Sequence, residues 1–318
     1  MQILVAMPAL LHQRELLRAA APEAEFVFCT ADRLETGLVQ QADIIIGNAP
    51  AAMIRGTERL KWLQLNSAGT DGYTTPGVLP KDALLTNATG AYGLAISEHM
   101  LASLLMLMKK LHLYHLEQQE QHWSDHGQVT SIDGSRTLVV GLGDIGGEFA
   151  KRMHALGSTV TGIRRSKTEK PEYLTALYQM DALMDCLKDA DIVAASLPGT
   201  KETLRVFDRE AFAAMKPGAF FLNVGRGTAV DSMALADALN SGHLAGAAVD
   251  VTDPEPLPAG HPLWTARNVL ITPHISGSYH LQETHERIIR IAAENLRRFL
   301  AGEALKNMVD FATGYRRL

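Results

Sequence analysis

The stretch Thr137-Leu-Val-Val-Gly-Leu-Gly-Asp-Ile-Gly-Gly147 decides the fold of this chain. It begins with a run of apolar and β-branched side chains, which is typical of a buried strand. A G-x-G-x-x-G turn follows at Gly141, Gly143 and Gly146. Beyond it, apolar residues recur at the spacing of an amphipathic helix: Ile145, Phe149, Met153 and Leu156. A strand, this turn and a helix in that order predict a dinucleotide-binding βα unit.

Each glycine of the turn has a separate physical role. Gly141 permits the sharp turn, Gly143 lets the backbone approach a pyrophosphate, and Gly146 lets the helix pack closely on the strand. The helix N-terminus, with Asp144 and Ile145, offers free N–H groups and a positive dipole end to an anion. We therefore expect all of these residues to contact the cofactor. The alternative is a glycine-rich βα turn that binds nothing.

Length and composition limit the possible functions. With 318 residues the chain can form about two domains, and 47% hydrophobic and 20% charged residues are ordinary for a globular protein. The net charge of −5 and the lack of a basic run argue against nucleic acid or a polybasic membrane contact as partner. The longest apolar stretch, residues 100–108, is too short to span a bilayer.

The N-terminus and the cysteines predict a cytoplasmic protein. The N-terminus is apolar but has no basic region and reaches Pro8 early, so we expect a core strand rather than a signal peptide. Cys29 and Cys186 lie far apart and without partners at metal-ligand spacing. This favours free thiols in a reducing compartment and no metal site.

Strand and helix patterns alternate along the chain, which predicts an α/β fold with parallel sheets. Short apolar strands precede the glycine turn at residues 3–6, 25–28, 43–47, 61–65 and 84–86. Further strands follow it at residues 158–163, 191–196, 219–224, 246–251 and 268–272. Helices are expected at residues 10–20, at 95–121 as one long helix or a pair, from an N-cap at Asp231 to residue 239, and at 279–300.

A second glycine loop, Asn66-Ser-Ala-Gly-Thr-Asp-Gly72, follows one of the early strands. In an open α/β sheet, ligands lie outside the carboxyl ends of the strands. The backbone N–H groups of Ser67 to Thr70 are therefore candidates to hold an anion such as a carboxylate. The alternative is an ordinary turn.

The strand after the glycine turn ends in Gly162-Ile-Arg-Arg-Ser-Lys167. An acidic residue there would bind the adenosine ribose hydroxyls of NAD, but none is present. Arg164, Arg165 and Ser166 instead offer guanidinium and hydroxyl donors, which suit a 2′-phosphate. The pattern favours NADP(H) over NAD(H), with NAD(H) still possible; the alternative is a pair of solvated arginines.

Three polar residues, Arg226, Glu255 and His274, each follow an apolar strand in the second half of the chain. A strand end is a place where a side chain can leave the core and still be held rigidly. Each also has a simpler interpretation. Arg226 could be a loop cation, Glu255 a solvated carboxylate, and His274 a hydrogen-bonded core histidine.

Several segments together resemble the D-isomer-specific 2-hydroxyacid dehydrogenase family, in order and over nearly the whole chain. They are Ser67–Asp71, Ser97-Glu-His99, Gly141–Gly146, Asp191-Ile-Val with Leu197-Pro198, Met215–Gly218, Asn223–Gly227, Ala248-Val-Asp250 with Glu255-Pro256, and Thr272-Pro-His274. The resemblance implies a discontinuous substrate domain, residues 1–98 and 286–318, with a dinucleotide-binding domain, 99–285, inserted in it. It also implies a homodimer, formed through the nucleotide domains and an arm near residues 100–130.

The resemblance also assigns roles to residues. It implies that His274 is the catalytic acid and base, that Glu255 orients its ring and stabilises its protonated form, and that Arg226 binds the carboxylate and carbonyl of the substrate. The backbone N–H groups of Ala68 and Gly69 would hold the other carboxylate oxygen. Asp250 would accept a hydrogen bond from the nicotinamide carboxamide. Further residues placed at the cofactor by the resemblance are Leu197, Pro198, Val224, Gly225 and His274.

The function expected is reduction of a small 2-keto acid to the (R)-2-hydroxy acid and its reverse, with NADP(H) preferred. Three features narrow the expected substrate and cofactor. Arg164-Arg165-Ser166 is similar to the NADPH-using glyoxylate and hydroxypyruvate reductases, and Glu255 stands where formate dehydrogenases carry glutamine, which argues against formate. The end of the chain at Leu318, without a regulatory domain, makes a phosphoglycerate dehydrogenase less expected. The alternatives are a non-catalytic nucleotide-sensing dimer of the corepressor type, and a dehydrogenase of another substrate such as phosphite.

Overall fold

The structure is a computed structural model that describes residues 1–70, 72–166 and 169–316. The chain divides into two compact units, Met1–Tyr92 with Tyr279–Leu318, and Gly93–Ser278. Since both chain ends belong to the first unit, the second unit is inserted within it.

The N-terminal part of the first unit contains five parallel strands, as its sequence patterns predict. Its elements are β1 (Gln2–Val5), α1 (Leu11–Ala20), β2 (Glu25–Phe28), α2 (Thr36–Gln41), β3 (Ile44–Ile46), α3 (Ala51–Ile54), β4 (Trp62–Gln64) and β5 (Leu84–Thr86). The strand order is β2-β1-β3-β4-β5, which is the flavodoxin-like order. β3 is fully buried, as expected for a parallel strand with both faces covered.

The second unit contains a seven-stranded parallel sheet. Its elements are α4 (Gly93–Met108), α5 (Leu111–Gln119), β6 (Arg136–Val140), α6 (Asp144–Ala155), β7 (Thr159–Ile163), β8 (Ala176–Tyr178), α7 (Leu183–Leu187), β9 (Ile192–Ala195), α8 (Arg209–Ala214), β10 (Phe220–Asn223), α9 (Ser232–Asn240), β11 (Gly246–Val249) and β12 (Val269–Ile271). The order β12-β11-β10-β9-β6-β7-β8 contains the strand order of the dinucleotide-binding fold. All carboxyl strand ends therefore lie along one edge of this sheet.

The C-terminal part completes the first unit with α10 (Gln282–Ala301), β13 (Val309–Asp310) and β14 (Tyr315–Arg316), the last two forming an antiparallel pair. α10 packs against α1 and lies over the sheet, where Phe299 stacks on Trp62 with ring centroids 5.5 Å apart. Asn295 Nδ2 also donates to Gln64 Oε1 at 2.8 Å. α10 ends at Gly302, whose left-handed backbone caps it.

Over residues 95–121, where one long helix or a pair was expected, the structure has two helices, because Lys110 between α4 and α5 has a φ of 57°. A left-handed residue cannot continue an α-helix. The domain limits predicted at 98/99 and 285/286 fall inside α4 and α10, and they stay predictions. In the part of the chain that the structure describes, no helix has the length and hydropathy needed to cross a membrane.

Candidate active site

The glycine turn after β6 has the geometry that its sequence predicts. Gly141 has a φ of +98°, and a Cβ there would lie 2.7 Å from the carbonyl oxygen of Ser196. A Cβ on Gly146 would lie 2.1 Å from the carbonyl oxygen of Gly141, so α6 can pack on the strand only with glycine at this position. By contrast, a Cβ on Gly143 would meet nothing within 4 Å. The turn is thus closed toward the protein and open on the side of Gly143, as a pyrophosphate cradle requires.

The start of α6 carries Asp144 and Ile145, both half-buried. The Asp144 carboxylate accepts a hydrogen bond from the Gly93 N–H at 3.0 Å, at the first residue of α4. Its side chain therefore joins two helices of the second unit. The backbone N–H groups at this helix terminus remain the predicted donors to a cofactor phosphate.

The end of β7 presents Arg164, Arg165 and Ser166. The Arg164 N–H donates to the carbonyl oxygen of Tyr178 at 3.1 Å, which extends the pairing of β7 with β8 by one residue. Arg165 is exposed, while Arg164 and Ser166 are half-buried. Because β6 and β7 are adjacent and parallel, these side chains follow the same sheet edge as the glycine turn. The residues predicted to bind a 2′-phosphate therefore lie next to the glycine turn.

The loops after β9 and β10 are in direct backbone contact. A Cβ on Gly225 would lie 2.3 Å from the carbonyl oxygen of Leu197, so this position also requires glycine. Leu197 and Val224 are buried and Pro198 is half-buried. All four residues lie along the sheet edge that carries the glycine turn, which is where the sequence predicted a cofactor contact.

Arg226 follows β10 and caps a short 3₁₀ turn. Its Nη1 donates to the carbonyl oxygen of Gly225 at 2.9 Å, and the carbonyl oxygen of Arg226 accepts from Asn223 Nδ2 at 3.1 Å. The next residue, Gly227, packs against the loop that follows β11: a Cβ there would lie 1.9 Å from the carbonyl carbon of Thr252. The loop that carries Arg226 is thereby fixed against the loop that carries Glu255.

Glu255 joins this loop to His274. Its Oε1 accepts a hydrogen bond from the Thr252 N–H at 3.0 Å, and its Oε2 lies 2.9 Å from Nδ1 of His274. The two side chains are 40% and 51% exposed, respectively. To donate to a carboxylate, Nδ1 must carry a proton. This leaves Nε2 of His274 as the ring nitrogen that can exchange a proton with a ligand.

Ala68 and Gly69 lie in the first unit, in the loop after β4. Four consecutive carbonyl oxygens of this loop accept hydrogen bonds: that of Asn66 from Tyr92 Oη, that of Ser67 from the Ala88 N–H, that of Ala68 from Asn87 Nδ2, and that of Gly69 from Ser67 Oγ. Burial raises the pKa of Tyr92 well above its usual range, so its hydroxyl remains a donor. Within the described ranges, the N–H groups of Ala68 and Gly69 have no acceptor. They are therefore available to an anion.

A known family model matches the part of the chain that carries most of this site. The family model described as "D-isomer specific 2-hydroxyacid dehydrogenase, NAD binding domain" matches residues 101–276, more than half of the chain. The chain belongs to the D-isomer-specific 2-hydroxyacid dehydrogenase family. The family supports an NAD(P)-dependent 2-hydroxyacid dehydrogenase activity and a nicotinamide cofactor.

Known relatives of this dehydrogenase agree with the assignment. It is 30% identical to a glyoxylate reductase of Thermofilum pendens, over 82% of this chain and 78% of that protein. It is 31% identical to a D-3-phosphoglycerate dehydrogenase of Mycobacterium bovis, over 95% of this chain. The chain spans only 54% of the length of that second relative.

Two solved structures share its fold over almost the whole chain. A D-isomer specific 2-hydroxyacid dehydrogenase family protein from Aeromonas salmonicida superposes with a TM-score of 0.86 at 33% identity, covering 98% of this chain and 99% of that one. A family member from Xanthobacter autotrophicus, solved with NADPH and MES, gives a TM-score of 0.81 at 28% identity, with 99% of each chain covered. The predicted family and fold class are confirmed.

Asp250 of this dehydrogenase is almost fully buried, with 2% of its surface exposed. Its Oδ1 accepts from Thr272 Oγ1 at 2.5 Å and from the Ile275 N–H at 3.0 Å, and its Oδ2 accepts from both the N–H and the Oγ of Ser276, at 3.0 and 2.5 Å. A carboxylate has about four acceptor sites, so these bonds fill them. The predicted bond from a nicotinamide carboxamide would have to replace one of them.

The structure places the trio Arg226, Glu255 and His274 within the second unit, and Ala68 and Gly69 within the first. It also adds residues to which the sequence gave no role: Thr272 and Ser276 on Asp250, and His99, whose Nε2 lies 3.3 Å from Thr272 Oγ1. The only sequence signal was that Thr272 and His99 occur in segments that resemble the family. Neither segment indicated a contact between them.

Proposed function

We propose that this dehydrogenase reduces a small 2-keto acid to the (R)-2-hydroxy acid, and catalyses the reverse reaction, with NADP(H) as preferred cofactor. The observation that carries the proposal is the His274–Glu255 pair, with Nδ1 and Oε2 2.9 Å apart. Since both residues follow parallel strands of the sheet that carries the glycine turn, they stand at the edge where a nicotinamide ring would lie.

His274 supplies the proton in the proposed reaction. Hydride addition to a keto carbon leaves negative charge on the oxygen, which requires a donor that can exchange a proton near neutral pH. The nicotinamide cofactor, when bound, supplies the hydride. The bond to Glu255 fixes the ring and its tautomer, so that Nε2 faces the substrate oxygen. In the oxidation direction the same nitrogen accepts the hydroxyl proton.

Arg226 recognises the substrate carboxylate. A guanidinium group offers a planar fork of N–H donors that matches a carboxylate, which the point charge of a lysine cannot copy. The contact of Gly227 with the Thr252 backbone, which brings the loop of Arg226 against the loop of Glu255, supports this role. The N–H groups of Ala68 and Gly69, which have no acceptor among the described residues, are the proposed donors to the other carboxylate oxygen.

The preference for NADP(H) rests on Arg164, Arg165 and Ser166 at the end of β7. Guanidinium groups attract a 2′-phosphate, whereas the carboxylate typical of NAD sites would repel it. The Xanthobacter relative, solved with NADPH, supports this choice. Use of NAD(H) at lower affinity is also expected, because the glycine turn serves both cofactors.

We also propose that the protein is a homodimer formed through the nucleotide domains and the arm near residues 100–130. Four large apolar side chains of this arm are exposed: Leu111, Leu116, Trp123 and Val129. Exposed apolar surface of this kind marks an association surface. Sedimentation equilibrium tests the proposal: a mass of one chain at micromolar protein would rule it out.

A substrate panel tests the proposed activity. NADPH is mixed with the protein and with glyoxylate, hydroxypyruvate, pyruvate, or branched and aryl 2-keto acids, and the nicotinamide absorbance is followed. We expect NADPH consumption with at least one keto acid and an (R)-hydroxy acid as product. Cofactor binding without turnover of any of them would favour a nucleotide-sensing role instead. Oxidation of phosphite with NADP would favour the other alternative.

A further inference from the structure

We propose that Asp250 is a positioning residue, which with Thr272 and His99 holds the loop of residues 272–276 so that His274 keeps its catalytic conformation. This inference rests on the proposed function, because it concerns the acid–base residue of that reaction. It gives roles to Thr272, Ser276 and His99, and it changes the role expected for Asp250 itself.

The contacts of Asp250 surround His274 in the chain. Its carboxylate binds Thr272 on one side, and Ile275 and Ser276 on the other. Its own carbonyl oxygen accepts the His274 N–H at 2.8 Å. The residue that follows β11 thus binds a side chain before the catalytic histidine and the backbone at and after it.

His274 needs such support because of its backbone conformation. Its φ is 51°, in the left-handed region that side chains with a Cβ rarely adopt. In an unsupported loop the residue would relax to a more favourable conformation and the imidazole would leave Glu255. Its neighbours are exposed or half-buried, so packing alone gives little restraint. The hydrogen bonds to buried Asp250 provide it.

The hydrogen bonds also have a fixed direction. Asp250 Oδ1 can only accept, so the single hydroxyl proton of Thr272 is donated to it at 2.5 Å. Thr272 Oγ1 must then accept from Nε2 of His99, 3.3 Å away, which must carry a proton. A cavity of about 10 Å³ lies beside these hydrogen bonds, and its lining includes His99, Ser103, Asp250 and Thr272. His99 therefore connects α4 to the loop of His274.

This arrangement explains Asp250 better than a contact with the nicotinamide does. Its acceptor sites are filled by the protein, and its side chain is buried. Removal of the carboxylate should therefore disturb His274 first and the cofactor second. Residues that touch Asp250 but are not expected at the cofactor should give the same defect when changed.

Thr272→Val tests this directly, because valine keeps the shape and loses the hydroxyl. We expect kcat for keto-acid reduction to fall about 10- to 100-fold, since small misplacements of a catalytic group have effects of this size. The dissociation constant of NADPH, measured by fluorescence, should change less than about twofold, because the cofactor contacts are intact. Thr272→Ser, which keeps the hydroxyl, should restore most of the rate, and Ser276→Ala should lower kcat in the same direction.

Amide hydrogen exchange of residues 272–278 gives a readout that needs no activity. We expect about fivefold faster exchange there in Thr272→Val, with unchanged exchange elsewhere, because a local opening becomes easier. Unchanged kcat and exchange in this variant, or an Asp250→Asn variant that weakens only NADPH binding, would overturn the proposal. If the wild-type protein reduces no keto acid, the proposed function fails, while the exchange result still decides the positioning role.

Discussion

Oε2 of Glu255 holds Nδ1 of His274 at 2.9 Å, while Oε1 of the same carboxylate holds the Thr252 N–H at 3.0 Å. One oxygen of the carboxylate is therefore bound to the backbone of its own loop, while the other orients the imidazole. This arrangement gives the two ring nitrogens different tasks, since Nδ1 is bound to Glu255 and Nε2 is the nitrogen proposed to exchange a proton with the substrate. The first two predictions follow from it.

His274→Asn should remove the proton donor and keep a polar side chain of similar size. We expect kcat to fall by about 10²- to 10⁴-fold, the usual contribution of a general acid. The dissociation constant of NADPH should change little, because the glycine turn and the two arginines that follow β7 are unaltered. Steady-state kinetics and fluorescence titration measure the two effects. His154→Asn, at an exposed position of α6, is the control, and equal rates in both variants would contradict the assignment.

Glu255→Gln keeps a hydrogen-bond acceptor but removes the negative charge beside His274. A hydrogen bond to a carboxylate is roughly twice as strong as one to a neutral oxygen, so the imidazole should be held less firmly and kcat for keto-acid reduction should fall about 10-fold. Steady-state kinetics measure this effect. Glu210→Gln, which changes an exposed carboxylate on α8, serves as control. If the two variants have the same kcat, the carboxylate of Glu255 has no part in positioning His274.

Replacement of Arg164 and Arg165 by alanine should change the choice of cofactor. Loss of two guanidinium groups removes the attraction for a 2′-phosphate, so KM for NADPH should rise about 10-fold or more. KM for NADH should change much less, because NADH carries no phosphate there. Arg209→Ala removes a surface ion pair with Asp237 and controls for a general loss of positive charge. A similar increase for both cofactors would refute the preference for NADP(H).

Gly146→Ala should damage both stability and cofactor binding. The added methyl group would lie 2.1 Å from the Gly141 carbonyl oxygen and 2.8 Å from Ser196 Oγ, so the turn or the helix must move. Overpacking of this kind costs about 1–3 kcal/mol. Gly37→Ala in α2, where a Cβ meets nothing within 4 Å, is the control. Thermal unfolding with and without NADPH measures both effects, and a melting temperature equal to that of the control would count against the packing role.

The sequence predicted most of the fold because the parallel strands are continuous apolar runs. The strands Glu25–Phe28 and Leu84–Thr86 have the predicted bounds, and Asp231 caps α9 through the N–H groups of Met233 and Ala234, as its residue type indicates. β8 was missed, since it is a short, half-exposed strand at the sheet edge and has no buried face to produce a pattern. Over residues 95–121 the sequence left one helix or a pair open, because lysine at position 110 gives no sign of its left-handed backbone.

The candidate site could be predicted in its residues more than in its contacts. Arg226, Glu255 and His274 were found because each follows a strand and occurs in a family segment. The network of Asp250 could not be found in this way. Its partner His99 is 173 positions from Thr272, and such long-range hydrogen bonds depend on how helices and strands pack. Motifs list residue types, and they do not show which acceptor each donor reaches.

The hydrogen bonding of the loop of Asn66 to Gly69 also affects which ligand charge this loop favours. Its oxygens are engaged by Tyr92, Ala88, Asn87 and Ser67, so it presents amide hydrogens without a competing negative partial charge. Substitution of Asn87 would remove the donor to the Ala68 carbonyl oxygen and leave a partial negative charge that repels a carboxylate. The preference of this loop for an acid over its neutral amide therefore depends on Asn87, a residue to which no ligand contact is assigned.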